Sequence, residues 1–216
     1  MEQKTKFHKE RFSLISEEKR EQILNAAIDE FAANGFNGTS INKVAKRAEI
    51  SIGAMYSYFD SKEDLFLTVV EKLFSVLELV LKEIDIHRDA LKVIEDLFCR
   101  AHYYAMTYAK MNQIYLDFST QSLSALSGKV SRRLECITRD VYYSAIERDK
   151  AKGIIDANLN TNVLAFTIDN LLMMYHFSFA SEYYKNRMML FLGAELYNNE
   201  EAHIRELMKI IEKAMH

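Results

Sequence analysis

Proline and tryptophan are absent from the 216 residues, glycine occurs six times and cysteine twice. All-β sandwiches and barrels turn their chains on Gly and Pro, so this composition excludes them and points to helices. It equally excludes collagen-like repeats, mucin-like stalks and flexible linkers. Cys99 and Cys136 belong to no CxxC or metal-spaced cluster, so the expectation is two buried thiols in a reducing compartment, with no metal site and no cofactor. The first fifteen residues, MEQKTKFHKERFSLI, lack the apolar run of a signal peptide. The most apolar stretch, Val163–Ala180, is interrupted by Thr167, Asp169, Asn170 and His176, and reads as a core helix rather than a membrane span. The expected location is therefore cytoplasmic, with no membrane partner.

An excess of charge of either sign is also missing. Net charge is −3, which alone argues for no anionic partner. Residues 1–15 hold four basic against two acidic side chains, and residues 39–62 again four against two. Such local excesses suit nucleic acid weakly and a solvated surface equally well.

What is present is apolar material at helical spacing. Apolar residues make up 49% of the chain, enough for a sizeable core. Ser16 reads as an N-cap followed by Glu17 and Glu18, and Ile23, Ala27 and Phe31 fall at i, i+4 and i+8. Gly35 stops this helix. Thr39 or Ser40 then caps a short helix with Ile41, Val44, Ala45 and Ala48 inward. Ser51 caps a second short helix, from Ile52 to about Phe59. Ser61, with Asp64 three residues on, caps a long one running from Leu65 to about Ile84. Further helices are expected near 88–110, 112–126, 129–151, 160–184 and 199–215, with breaks at Gly128, Gly153 and Asn198-Asn199; the piece from Asn186 to Tyr197 is ambiguous. The fold class is all-α.

Two short helices joined by a tight turn and packed on a longer one form the helix-turn-helix pattern. The second, Ser51-Ile52-Gly53-Ala54-Met55-Tyr56-Ser57-Tyr58-Phe59, suits the major groove. Met55 and Phe59 face inward, Gly53 permits close approach, and at least one tyrosine hydroxyl stays outside. Lys62 starts the next helix, where an ammonium can clamp a phosphate. The bland reading of the same spacing is a small helical subdomain with surface tyrosines.

The run Gly35-Phe36-Asn37-Gly38-Thr39-Ser40-Ile41, then Val44-Ala45 and Ala48, then Ser51-x-Gly53-x-x-Tyr56-x-Tyr58-Phe59-x-Ser61-Lys62-Glu63-x-Leu65, resembles the DNA-binding region of TetR/AcrR-type repressors over about residues 16–66. The resemblance implies a basic leader over 1–15, a three-helix DNA-binding domain over 16–62, and a helical ligand-binding and dimerisation domain over 63–216. It implies a homodimeric regulator, usually a repressor, that leaves its double-stranded operator when a small molecule binds. Carried over by position, Thr39 and Ser40 begin the phosphate-contacting second helix and Lys46 lies along the backbone. Ser51 stands at the cap, Ile52, Gly53, Ala54 and Ser57 face the groove, and Tyr56, Tyr58 and Lys62 contact phosphate. Two residues depart from the family pattern. Ile52 replaces a basic or polar residue and suits a thymine methyl. Glu49 replaces a turn glycine, where φ > 0 is required.

For the remainder, Val163, Phe166, Asn170, Met174 and Phe177 form one apolar stripe, and Ile204, Leu207, Met208, Ile211 and Met215 another. By resemblance these two helices make a four-helix dimer interface, through Val163, Phe166, Met174, Phe177, Ile204, Leu207, Met208 and Ile211. The wealth of tyrosine and methionine suits a largely apolar pocket, with His102, Tyr103, Asp117, Tyr142 and Asn170 as candidate polar contacts; core packing explains each of them as well. An Asp117 or Asp169 buried without a partner would favour a cationic ligand. Two other function classes stay open. A helical-bundle enzyme is disfavoured, because only one Glu-x-x-His occurs, Glu200 to His203, and no GxGxxG, Walker A, HExxH or GxSxG motif is present. A bundle that binds small molecules or proteins and carries a vestigial DNA head would show no site preference on DNA.

Overall fold

Ser16 caps the first long helix as its position predicts: its Oγ accepts the Lys19 N–H at 3.2 Å, with Glu17 and Glu18 in the first turn. A computed structural model describes residues 6–120, 123, 126, 128 and 131–216. The first five leader residues, and parts of the helices expected over 112–126 and 129–151, lie outside the described residues. Among the described residues there are eleven helices and no strand. They are α1 (Glu10–Leu14), α2 (Glu17–Gly38), α3 (Ile41–Arg47), α4 (Ile52–Tyr58), α5 (Lys62–Lys82), α6 (Ala90–Thr107), α7 (Ala109–Phe118), α8 (Ser131–Ala151), α9 (Thr161–Phe177), α10 (Glu182–Tyr197) and α11 (Glu200–Met215).

The chain divides into two units, Met1–Leu77 with Gln113–Val130, and Glu78–Asn112 with Ser131–His216. In the first, the stripe Ile23, Ala27 and Phe31 is fully buried. Phe31 meets Phe66 edge-on at 5.0 Å, Phe36 meets Phe66 at 5.1 Å, and Phe74 meets Phe118 at 6.0 Å. Each such ring contributes about 1.5–3 kcal/mol by leaving water, so this aromatic cluster is the main anchor of the unit. Gly35 has φ +64 and kinks α2, a backbone state that any L side chain would strain. The Thr39 hydroxyl ties the kink, 3.0 Å from the Glu30 carbonyl and 2.8 Å from that of Gly35.

The described part of the leader is not a separate arm. It forms α1, and Phe12 is buried there between His8, Tyr58 and Phe59, with centroids 4.8–5.9 Å away. The Lys9 N–H donates to the Tyr58 carbonyl at 2.8 Å, and the Thr68 hydroxyl to that of Phe7 at 3.1 Å.

The second unit packs α6, α8, α9 and α11 around Phe98, Val93, Tyr142, Ile146, Ile168 and Ile211. Gly153, at φ +72, ends α8, and Asn199 caps α11 by accepting the Ala202 N–H, so two of the three expected breaks, at Gly153 and at Asn198-Asn199, are present. Two expectations fail. The helix expected over 160–184 stops at Phe177, and α10 begins at Glu182, occupying the piece left ambiguous. Cys99 is exposed rather than buried, and Cys136 half-buried; both are free thiols. Among the described residues no single helix is long and apolar enough to cross a membrane; only α9 and α10 taken together, bent by 106°, reach that length and composition.

Candidate functional site

The helix-turn-helix is built from α2, α3 and α4. Val44, Ala45, Ala48, Met55 and Phe59 are fully buried and fix the two short helices against the long ones. Their opposite faces are thereby set outward. The turn between them is held by the Ile50 N–H on the Ala45 carbonyl at 3.0 Å, and its tight geometry puts Glu49 at φ 52. Glu49 is the only non-glycine residue with positive φ among the described residues. The turn thus imposes on a glutamate the conformation that favours glycine, at about 1–2 kcal/mol.

On α4, the Ser51 Oγ accepts the Ala54 N–H at 3.0 Å. Ile52, Gly53 and Tyr56 are exposed. Ala54, Ser57 and Tyr58 are half-buried; the Ser57 hydroxyl is turned back to the Ala54 carbonyl at 2.7 Å, and Tyr58 leans on Phe12. A β-carbon on Gly53 would meet only the Ser51 Oγ, at 3.9 Å, so the outer side of this turn is open. On α3, Ser40 occupies the cap position without a side-chain bond, and Lys46 is exposed.

Two residues assigned to phosphate are engaged elsewhere. Thr39 is buried, and its hydroxyl is spent on the α2 carbonyls. The Lys62 ammonium donates to the carbonyls of Phe36 at 2.9 Å and Thr39 at 3.2 Å, with Asn37 at 3.4 Å, and stands 4.5 Å over the Phe36 ring. The last carbonyls of a helix lack intrahelical donors and carry the negative end of its dipole. Lys62 therefore closes the end of α2, and a phosphate would have to compete for it.

Other cations sort by their partners. Arg47 is paired with Glu30 at 3.2 Å, and Lys9 with Asp60 at 2.7 Å while donating to the Tyr56 carbonyl. Lys43 and Lys46, three apart on α3, are exposed and have no ion pair among the described residues. Arg11 on α1 is likewise exposed and has none. Sequence reasoning missed Lys43 and Arg11. The signal for Lys43 was its i, i+3 relation to Lys46 on the face opposite Val44.

In the second unit the five candidate ligand contacts do not converge. Tyr103 is exposed, and so is Asn170, whose amide donates to the Phe166 carbonyl of its own helix. Asp117 belongs to the first unit, where it accepts from Gln113 at 3.1 Å and lies beside Gly35; burial raises its carboxyl. Both ring nitrogens of His102 are occupied, by the Tyr175 hydroxyl at 3.2 Å and the Glu200 carboxylate at 3.1 Å. Only Tyr142 is buried with an unpartnered hydroxyl, and it lines a groove between α8 and α9. Among the described residues no cluster of three or more His, Cys, Asp or Glu is arranged to hold a metal; His203 packs edge-on against Tyr175 instead.

The expected interface stripes split. Val163 and Phe166 are 63% and 69% exposed, and Met174 is exposed too. Ile204, Met208 and Ile211, with Phe177, are buried within the protomer, and Leu207 packs against the same core. Ile204, Met208, Ile211 and Phe177 are thus engaged in the protomer core, while Leu207, half-buried, lies at its edge. Helix α10, which has no buried residue, instead presents Leu190 and Phe191 at 81% and 74% exposure, and the sequence reading missed both.

Against known proteins, the family described as bacterial regulatory proteins, tetR family, matches residues 23–69. The HTH-type transcriptional regulator HbdR of Aromatoleum sp. (strain CIB) is 31% identical over 160 residues, 72% of this chain and 68% of that one. Among solved structures, a TetR family transcriptional regulator from Chloroflexus aurantiacus J-10-FL superposes with a TM-score of 0.69 at 20% identity, covering 96% of this chain and 98% of that one. FadR from Bacillus subtilis, in complex with stearoyl-CoA, superposes with a TM-score of 0.67 at 19% identity, covering 90% and 98%. The matched segment contains α3 and α4 in full, the relative spans both units, and the solved folds span nearly the whole chain; the protein belongs to the TetR family of helix-turn-helix transcriptional regulators.

Proposed function

We propose that this regulator is a homodimeric repressor that binds a two-fold operator through α4 and leaves it when a small, largely apolar ligand occupies the second unit. The observation that carries the DNA reading is the exposed row Ile52, Gly53 and Tyr56 on α4, beside the unpaired cations Lys43 and Lys46 of α3. Ile52 offers a methyl-rich contact suited to thymine, and the lysines fix register on phosphates. Ser40, Ser51, Ala54, Ser57 and Tyr58 flank this row; Thr39 and Lys62 hold the element that presents it.

The dimer reading rests on Val163, Phe166 and Met174 of α9 and on Leu190 and Phe191 of α10. Exposed apolar side chains in this density mark an interaction surface. A two-fold pair must set its reading helices about 34–36 Å apart to enter successive major grooves. Helix α5 runs from the first unit through Leu77 into the second, so it is the covalent route by which a ligand can alter that spacing. Repression then falls by the ligand's differential affinity for the two states. FadR from Bacillus subtilis holds stearoyl-CoA; the reading for this chain is a small, largely apolar ligand.

The test is a salt-titrated binding assay with DNA flanking the protein's own gene. If the dimer neutralises about eight phosphates, log K falls against log salt with a slope of about −7. Site preference with such a slope, lost on adding an inducer, supports the proposal. Weak binding without site preference identifies a vestigial head and overturns it.

A further inference from the structure

Between α8 and α9 lies a groove of about 250 Å³, lined by Glu135, Thr138, Arg139 and Tyr142 from one helix and Asn162, Ala165, Phe166 and Asp169 from the other. These positions recur at i, i+3, i+4 and i+7 on each helix, so two regular faces make the walls. Its chemistry is unbalanced. Glu135 and Asp169 interact electrostatically across it, and neither has an ion pair or a hydrogen bond to its carboxylate among the described residues. Arg139, the one cation in the lining, holds Asp140 instead, with Nε at 3.0 Å and Nη2 at 2.6 Å. That pair leaves the half-buried Asp169 and the exposed Glu135 without a cation among the described residues. Under them Tyr142 is buried, and its hydroxyl has no partner.

We propose that this groove is a binding site for a small protonated amine, whose N–H groups donate to Glu135, Asp169 and the Tyr142 hydroxyl. An ammonium carries donors only, and the three unmet groups are acceptors or can act as one. Ala165 and Phe166, the latter also on the proposed dimer surface, supply an apolar wall for the amine's hydrocarbon body, and a cation beside an aromatic face gains further attraction. A neutral ligand would leave both carboxylates uncompensated. An anion would meet two like charges. Burial and the neighbouring Glu135 push the Asp169 carboxyl up to about 6, and desolvation raises that of Glu135, although Glu135 itself is solvent-exposed. The site stands on the geometry of α8 and α9 and does not depend on the proposed apolar inducer.

The experiment is isothermal titration of the full chain with benzylammonium chloride, with benzyl alcohol as the neutral isostere. The expected result is saturable binding of one benzylammonium per chain and none of benzyl alcohol. Asp169→Asn and Glu135→Gln should each weaken the amine at least tenfold, and Tyr142→Phe by less, with operator affinity retained and the melting temperature not lowered. At pH 6, where Asp169 is about half protonated, binding should release up to about half a proton, read from the heat in two buffers, and Asp169→Asn should abolish that release. No saturable binding, or equal binding by Asp169→Asn, overturns the site while leaving the regulator reading intact. Failure of the wild-type chain to prefer any operator would count against that reading and not against the groove. Should benzylammonium dissociate the dimer as it binds, the native cation is a side chain of a second copy, and the small-amine assignment is refuted.

Discussion

Replacing Lys62 by alanine separates two roles that a basic residue can have beside DNA. If it clamps a phosphate, each dimer loses two contacts, and the slope of log K against log salt becomes shallower by about 1.8. The geometry argues otherwise. Its ammonium is held by the carbonyls of Phe36 and Thr39 and lies over the Phe36 ring. Hydrogen bonds to a charged group contribute about 1.5–3 kcal/mol when dry. Lys62 is half-buried and water can replace part of the loss, so about 1–2 kcal/mol is the expected destabilisation. Operator affinity should fall by about tenfold or less, equally at every salt concentration, because the end of α2 loosens while the phosphate count is unchanged. Lys46→Ala is the contrast: exposed and unpaired, it should leave stability within about 0.5 kcal/mol and make the slope shallower by about 1.8. Fluorescence anisotropy across a salt series gives the slopes and urea unfolding the stabilities. A shallower slope for Lys62→Ala with unchanged stability would refute the positioning role.

Glu49→Gly should raise stability by about 0.5–1 kcal/mol, because it removes the left-handed strain at φ 52 and gives back part of that gain in backbone entropy; a loss of stability in urea would contradict this. Phe12→Ala should cost about 3–5 kcal/mol, since the ring is buried against Phe59 and Tyr58; proteolysis should then cut first in the head, and unchanged proteolysis would show that α1 is dispensable. Phe166→Glu should give a monomer by light scattering with its helicity kept, whereas Ile211→Glu should lower the melting temperature, because one residue is exposed and the other lies in the protomer core; a stable Phe166→Glu dimer would move the interface off α9. Asp169 titrates higher in the folded chain than in the unfolded one, so its charged form is disfavoured on folding. Its contribution is most favourable below pH 4 and is lost as pH rises through about 6. Asp169→Asn should therefore stabilise the chain at pH 7.5, by about 1–2 kcal/mol after allowance for solvent in the groove, and not at pH 4; equal effects at both would refute it.

What the sequence could and could not disclose follows from how far each signal reaches along the chain. The cap at Ser16, the stripe Ile23-Ala27-Phe31 and the strained Glu49 are local: each depends on residues within about two helical turns, the first two lie where spacing puts them, and Glu49 lies where the family resemblance places a turn glycine. The break between α9 and α10 has no glycine or proline. Ser178 carries it by donating its hydroxyl to the Met174 carbonyl at 2.8 Å, and a serine in that role looks no different from one on a helix surface. Period alone says that a helix buries one face, never what the face meets. The stripe of α11 therefore reads the same whether it faces the protomer core, as Ile204, Met208 and Ile211 do, or a copy. Lys62 was placed by its neighbours in sequence, yet its role is set by carbonyls more than twenty residues earlier, which the kink at Gly35 brings round to it. The groove is the far case. Glu135 and Tyr142 lie on one helix and Asp169 on another, and only the reversal of chain after Gly153 sets them face to face. A carboxylate thirty-four positions away in sequence gives no local sign that it will face another across a groove, and that pairing is what the proposed cation site rests on.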